Sequence, residues 1–168
     1  MLFHFSEDKS ITKFIPRKTT SYPDLNPVVW AIDQKRSPLY FFPRDCPRIA
    51  YWPVNMSSQE DRQNYYKQTN ARMVITIENR WFEPMQNTKL YVYSFEENLF
   101  SCFDEGAGYY ISRNPIKPVS LELLENLVNC LRLENVELRL TPSLEPLSKW
   151  LPKSSLHFSM IRMRNAVF

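Results

Sequence analysis

Leu2-Phe3-His4-Phe5-Ser6-Glu7-Asp8 and Pro27-Val28-Val29-Trp30-Ala31-Ile32-Asp33 are two short apolar runs, each ending in polar residues. β-branched and aromatic side chains bounded by Pro, Asp and Ser predict strands. The first run carries one of only two histidines in the chain, and the second carries one of four tryptophans. An imidazole beside an indole on paired strand ends is an arrangement that can hold a nucleotide.

Further strands follow from the same signals. Ile49 to Val54 is one, with Pro53 marking it as an edge strand. Arg72 to Glu78 and Leu90 to Phe95 alternate and are rich in Val, Ile, Thr and Tyr. Gly108 to Ser112, Val136 to Leu140 and Leu156 to Met163 complete the set. Ser37-Pro38 predicts a short helical start, stopped by Pro43 and Pro47. Ser57-Ser58-Gln59-Glu60-Asp61 is a capping pattern that opens a polar helix to about Gln68. Leu121, Leu124, Leu127, Val128 and Leu131 fall on one face of a 3.6-residue period, which predicts a helix over Ser120 to Leu133. Ser143 to Trp150 is a second short helix. Strands and helices do not alternate, so the expected class is α+β: a split, mainly antiparallel sheet with flanking helices.

With 168 residues and 43% hydrophobic side chains, the chain predicts a single domain, residues 1–168, with a core of its own. Only two glycines, Gly106 and Gly108, are present, so a glycine-rich phosphate cradle is excluded. A net charge of +3 is too mild to argue for nucleic acid by itself. Cys46, Cys102 and Cys130 are widely spaced and odd in number, which speaks against a disulfide framework and a zinc site. No metal ligand set is expected. The opening MLFHFSEDKS lacks the pattern of a secretory signal, and no apolar run approaches a membrane span. The expectation is a cytoplasmic protein with no membrane partner.

Pro43-Arg44-Asp45-Cys46-Pro47-Arg48 presents two arginines on a backbone stiffened by two prolines. Such forks suit bidentate phosphate or carboxylate binding; an internal pair with Asp45 is the structural alternative. Cys46 lies among positive charges, which would lower its thiol pKa. In Ser159-Met160-Ile161-Arg162-Met163-Arg164-Asn165, a strand would place Arg162 and Arg164 on one face. They would meet either acids of a neighbouring strand, Glu137 first, or an anionic ligand. Tyr65-Tyr66-Lys67 and Trp81-Phe82 are aromatics that either enter the core or stack bases.

Phe3-His4-Phe5-Ser6, Val29-Trp30-Ala31-Ile32-Asp33 with Pro38-Leu39-Tyr40-Phe41-Phe42, and Gly108-Tyr109-Tyr110-Ile111-Ser112 resemble strands of the small ADP-ribosyltransferase-like domains. That resemblance covers about the first two-thirds of the chain. It implies an ADP-ribosyltransferase-like fold with NAD as the cofactor. It gives His4, followed by the hydroxyl of Ser6, to the ribose, and Trp30 or Tyr40 to the nicotinamide. The family's glutamate position is occupied here by Gly108, which leaves Glu105, with Asp104, as the nearest acid for catalysis beside His4. The related RNA 2′-phosphotransferases lack that glutamate and grip phosphate with arginines, a role for Arg44, Arg48, Arg162 and Arg164. The whole chain also resembles an uncharacterised family of bacterial proteins of unknown function. The carrying segments are Phe42 to Arg48, Ala107 to Ser112 and Ser159 to Ala166.

The expected function is therefore binding of a nucleotide or phosphorylated small molecule, with ADP-ribosyl or RNA 2′-phosphate transfer as the chemistry. A non-enzymatic module that binds RNA or protein is the alternative.

Overall fold

The computed structural model describes residues 1–168. The elements begin with β1 (Leu2–Ser6), β2 (Val29–Ile32), β3 (Arg48–Trp52), α1 (Gln59–Gln68), β4 (Met73–Glu78), α2 (Phe82–Asn87) and β5 (Leu90–Phe95). They continue with β6 (Ser101–Asp104), β7 (Tyr109–Ser112), β8 (Ser120–Leu124), α3 (Leu127–Leu133), β9 (Val136–Thr141), α4 (Glu145–Trp150) and β10 (His157–Ile161). The class is α+β. Two compact units form, each from two stretches of chain: Met1–Tyr40 with Lys89–Glu125, and Phe41–Thr88 with Asn126–Phe168.

The first unit holds a six-stranded, wholly antiparallel sheet in the order β6-β7-β2-β1-β5-β8. Side chains alternate between its faces. Leu2, Val29, Ala31, Tyr93 and Phe95 project to one face and pack with Phe14 and Ile116. Phe14 is fixed there by reciprocal backbone bonds with Ile116.

The second unit holds a mixed four-stranded sheet in the order β10-β3-β4-β9, with β4 and β9 parallel. All six residues of β4 are buried. That suits its Val- and Ile-rich sequence in a strand covered on both faces. Ile49, Tyr51, Tyr65, Val74, Leu144, Leu151 and Leu156 form one core of this unit. The polar helix α1 is placed as its capping sequence predicts: the Ser58 hydroxyl accepts from the Asp61 N–H at 3.1 Å.

Four expectations need correction. Ser120 to Leu133 is not one helix. Its first part is β8, the edge partner of β5, and only Leu127–Leu133 is helical. Leu121 fits an alternating period with Leu123 as well as a helical one with Leu124, and the hydrogen-bonding edge of β5 decides between them. Asn126 turns the chain in the left-handed region at φ 54° and caps the helix through its side-chain oxygen. Second, β3 is internal, and Pro53 lies just beyond its end. Third, β10 stops at Ile161; Arg162 and Arg164 belong to a turn, not to one strand face. Fourth, Glu137 on β9 lies three strands away from β10 and bonds Arg139 at 2.6 Å.

Candidate functional site

In the first unit, β1 and β2 pair with Phe3 opposite Ile32. Residues opposite each other share a face, so His4 and Trp30 project to opposite faces of the sheet. The His4 ring joins the core side, 4.9 Å edge-on to Phe14. Its Nδ1 lies 3.3 Å from the Trp30 carbonyl oxygen. Imidazole and indole are thus linked through the backbone, not laid side by side. Ser6 is on the His4 face, opposite Tyr91, and its hydroxyl accepts from the Asp8 N–H at 3.1 Å.

On its own face, Trp30 sits in an aromatic cluster. Tyr22 stacks on it at 5.4 Å, and Phe103 and Tyr109 meet it edge-on at 5.1 and 5.8 Å. Tyr40 is joined to the cluster by its hydroxyl, 3.1 Å from that of Tyr109. Trp30 and Tyr40, the alternatives for the stacking aromatic, each meet Tyr109. Tyr22, Phe103 and Tyr109 were missed as site candidates; the signal for Tyr109 was its alternation with Ile111 opposite the Trp30 strand. Glu105 is exposed in the β6–β7 turn, where its carbonyl accepts from Gly108 N–H at 3.2 Å. No buried neighbourhood surrounds its carboxylate.

The arginines lie in the second unit and divide into two kinds. Arg48 is buried: its guanidinium donates to the Cys46 carbonyl at 2.8 Å and lies over the Phe42 ring. Arg80 bonds the buried Glu78 carboxylate at 3.1 Å and the Asn165 carbonyl at 2.6 Å. The other oxygen of Glu78 accepts from Val167 N–H at 2.9 Å, and the Asn165 amide donates to the Asp45 carbonyl at 2.8 Å. These bonds tie the Pro43–Arg48 segment, the end of β4 and the C-terminal turn together. Arg162 and Arg164 ride on that turn with no acid or carbonyl partner. Arg162 adopts a left-handed backbone at φ 57°, uncommon for a residue with a side chain. Arg44 is exposed beside Pro43.

Cys46 departs from expectation. It is fully buried, and burial pushes its thiol up to about 12, outweighing the opposing effect of Arg48. No three His, Cys, Asp or Glu side chains gather where they could hold a metal ion. No helix is long and apolar enough to cross a membrane.

A family model, the family of unknown function DUF6886, matches residues 3–166. The chain belongs to that family. The DUF6886 match runs through both units and contains the three segments, Phe42 to Arg48, Ala107 to Ser112 and Ser159 to Ala166, that resemble an uncharacterised family. No curated protein and no solved structure matches the chain. None of the comparisons returns an ADP-ribosyltransferase-like domain.

Proposed function

We propose that this protein binds a phosphate-bearing ligand, with a nucleotide as the leading class, and that Arg162 and Arg164 take the phosphate. The contrast among the arginines carries this reading. Arg48 and Arg80 are consumed by backbone and carboxylate oxygens, whereas Arg162 and Arg164 have none, on a turn that the Glu78, Arg80 and Asn165 bonds hold still. A planar guanidinium with a fixed backbone loses little freedom when it forks onto a phosphate. Arg44 stands beside the rigid Pro43 and is the third candidate.

Within the first unit, the Trp30 cluster supports an aromatic platform for a base or nicotinamide. His4 and Ser6 project to the opposite face of the sheet, so they do not serve the ribose of a ligand stacked on this platform; in an ADP-ribosyltransferase-like chemistry with NAD, Glu105 would supply the carboxylate. A non-enzymatic module is the second reading.

Thermal unfolding with NAD, ADP-ribose and mononucleotides tests the proposal. A ligand at 100 times its dissociation constant stabilises by about 2.7 kcal/mol, a shift of several degrees. Arg162→Ala and Arg164→Ala should weaken that shift without changing the unliganded midpoint. No shift with any of these compounds at millimolar concentration overturns the reading and favours the non-enzymatic module.

A further inference from the structure

At the other end of β3 from Arg48, the chain leaves Trp52, runs through Pro53 and Val54, and enters α1. A groove of about 540 Å3 lies between that connection and the helix. Gln59, Arg62, Gln63, Tyr66 and Lys67 line it from α1. These positions are spaced i, i+3, i+4, i+7 and i+8, so one whole face of the helix fronts the groove. Asn55 adds a third amide from the facing wall.

The groove is cationic and aromatic. Arg62 and Lys67 form no ion pair, and no acid is among the lining residues. Asp61, the acid next to Arg62, is turned away and bound at 2.6 Å by the Ser155 hydroxyl. Tyr66 is 57% exposed, so a flat ring can reach it; its inner edge rests against Tyr65 at 5.3 Å. The facing wall is fixed. Val54 N–H donates to the Ser57 hydroxyl at 3.0 Å, and that hydroxyl donates to the Ser155 carbonyl at 2.9 Å.

We infer that this groove binds single-stranded RNA, with Arg62 and Lys67 on successive phosphates, a base stacked on Tyr66, and the amides of Asn55, Gln59 and Gln63 meeting base edges. Two cations alone would suit any polyanion. The exposed tyrosine gives a base a ring to stack on, and the three amides pair a donor with an acceptor as a base edge does. The groove is open along the helix, so a strand can continue past it. The inference does not rest on the phosphate reading above, because the Arg162 turn and this groove sit at opposite ends of β3.

Fluorescence anisotropy with a labelled octauridylate tests it. Two phosphate contacts on a single strand predict an affinity loss of about sevenfold between 50 and 200 mM salt. Arg62→Ala with Lys67→Ala should remove most of that salt dependence, and Tyr66→Ala should weaken binding about fivefold or more. All three side chains are exposed, so circular dichroism should be unchanged. Lys117→Ala, an exposed cation outside the groove, should bind like the parent protein. The inference fails if the octamer does not bind at low salt, or if the α1 substitutions leave binding intact. It fails equally if Lys117→Ala weakens binding as much as the α1 substitutions do, or if an octaglutamate or free uridylate competes as well as the unlabelled octamer.

Discussion

Gly108 stands against Arg36: a Cβ on Gly108 would come 2.6 Å from the Arg36 Cγ and 2.7 Å from the Asp33 carboxylate. Its φ of +71° belongs to the left-handed region. Its carbonyl accepts from Asp33 N–H at 3.0 Å, while Arg36 Nε donates to the Gly106 carbonyl at 3.0 Å. The glycine thus lets the β6–β7 turn close onto the turn after β2. Gly108→Ala should lose about 2–5 kcal/mol, the sum of left-handed strain and overpacking. Urea unfolding measures it. Gly106→Ala, at a residue without positive φ, should change stability by about 0.5 kcal/mol or less.

The three thiols should react in an order set by burial. Cys102 is exposed, Cys130 is half-buried with its thiol pushed up by burial and by Glu134, and Cys46 is buried with a value of about 12. Iodoacetamide at pH 8 followed by mass spectrometry should label Cys102 first and Cys46 only in denaturant. The stabilisation linked to the Cys46 proton is whole below the unfolded thiol value of about 8.5 and declines as pH rises toward the folded value. Native labelling of Cys46 as fast as Cys102 would contradict the buried placement.

Asp61 joins the first turn of α1 to the segment before β10. The side-chain hydrogen bond from Ser155, then its backbone N–H, hold this carboxyl below its usual range. A depressed folded value means that the contribution is present above the unfolded value of about 3.9 and is lost as pH falls through the folded one. The acid limb of the stability profile should therefore flatten in Asp61→Asn. An unchanged profile between pH 5 and 2 would show that Asp61 is not held in the folded state.

NAD hydrolysis should be very slow or absent. An oxocarbenium-like transition state needs a carboxylate fixed beside it, and Glu105 is exposed in a turn. If hydrolysis is detected by nicotinamide release, Glu105→Gln should abolish it and leave the ligand-induced thermal shift unchanged. Brisk hydrolysis that survives both Glu105→Gln and Asp104→Asn would place the active site elsewhere.

Local signals were enough wherever one element satisfied itself. The cap at Ser58 and the alternation in Leu90 to Phe95 predicted α1 and β5 nearly to the residue. Partners were not readable. The start of Leu121 to Leu131 fits two periods, through Leu123 or through Leu124, and only the neighbouring β5 edge selects a strand there. Arg162 and Arg164 look like strand residues until the left-handed turn at Arg162 separates them. His4 and Trp30 are both correctly placed on strands. Their opposite projection follows from the Phe3–Ile32 register, which no local pattern encodes. The charges near Cys46 were legible, but its burial, which outweighs them, was not.

The two-segment make-up of each unit has a consequence for synthesis. Residues 41–88 emerge from the ribosome before β5 to β8 exist, and they contain β3 and β4 but neither β9 nor β10. The first sheet cannot close until residue 125 has been made, and the second waits for the last strand. The first half can therefore close well before the second, which leaves the buried, Val- and Ile-rich β4 unsheltered for most of elongation. No single proteolytic cut can release either unit whole, so limited digestion should degrade the chain instead of yielding a stable half.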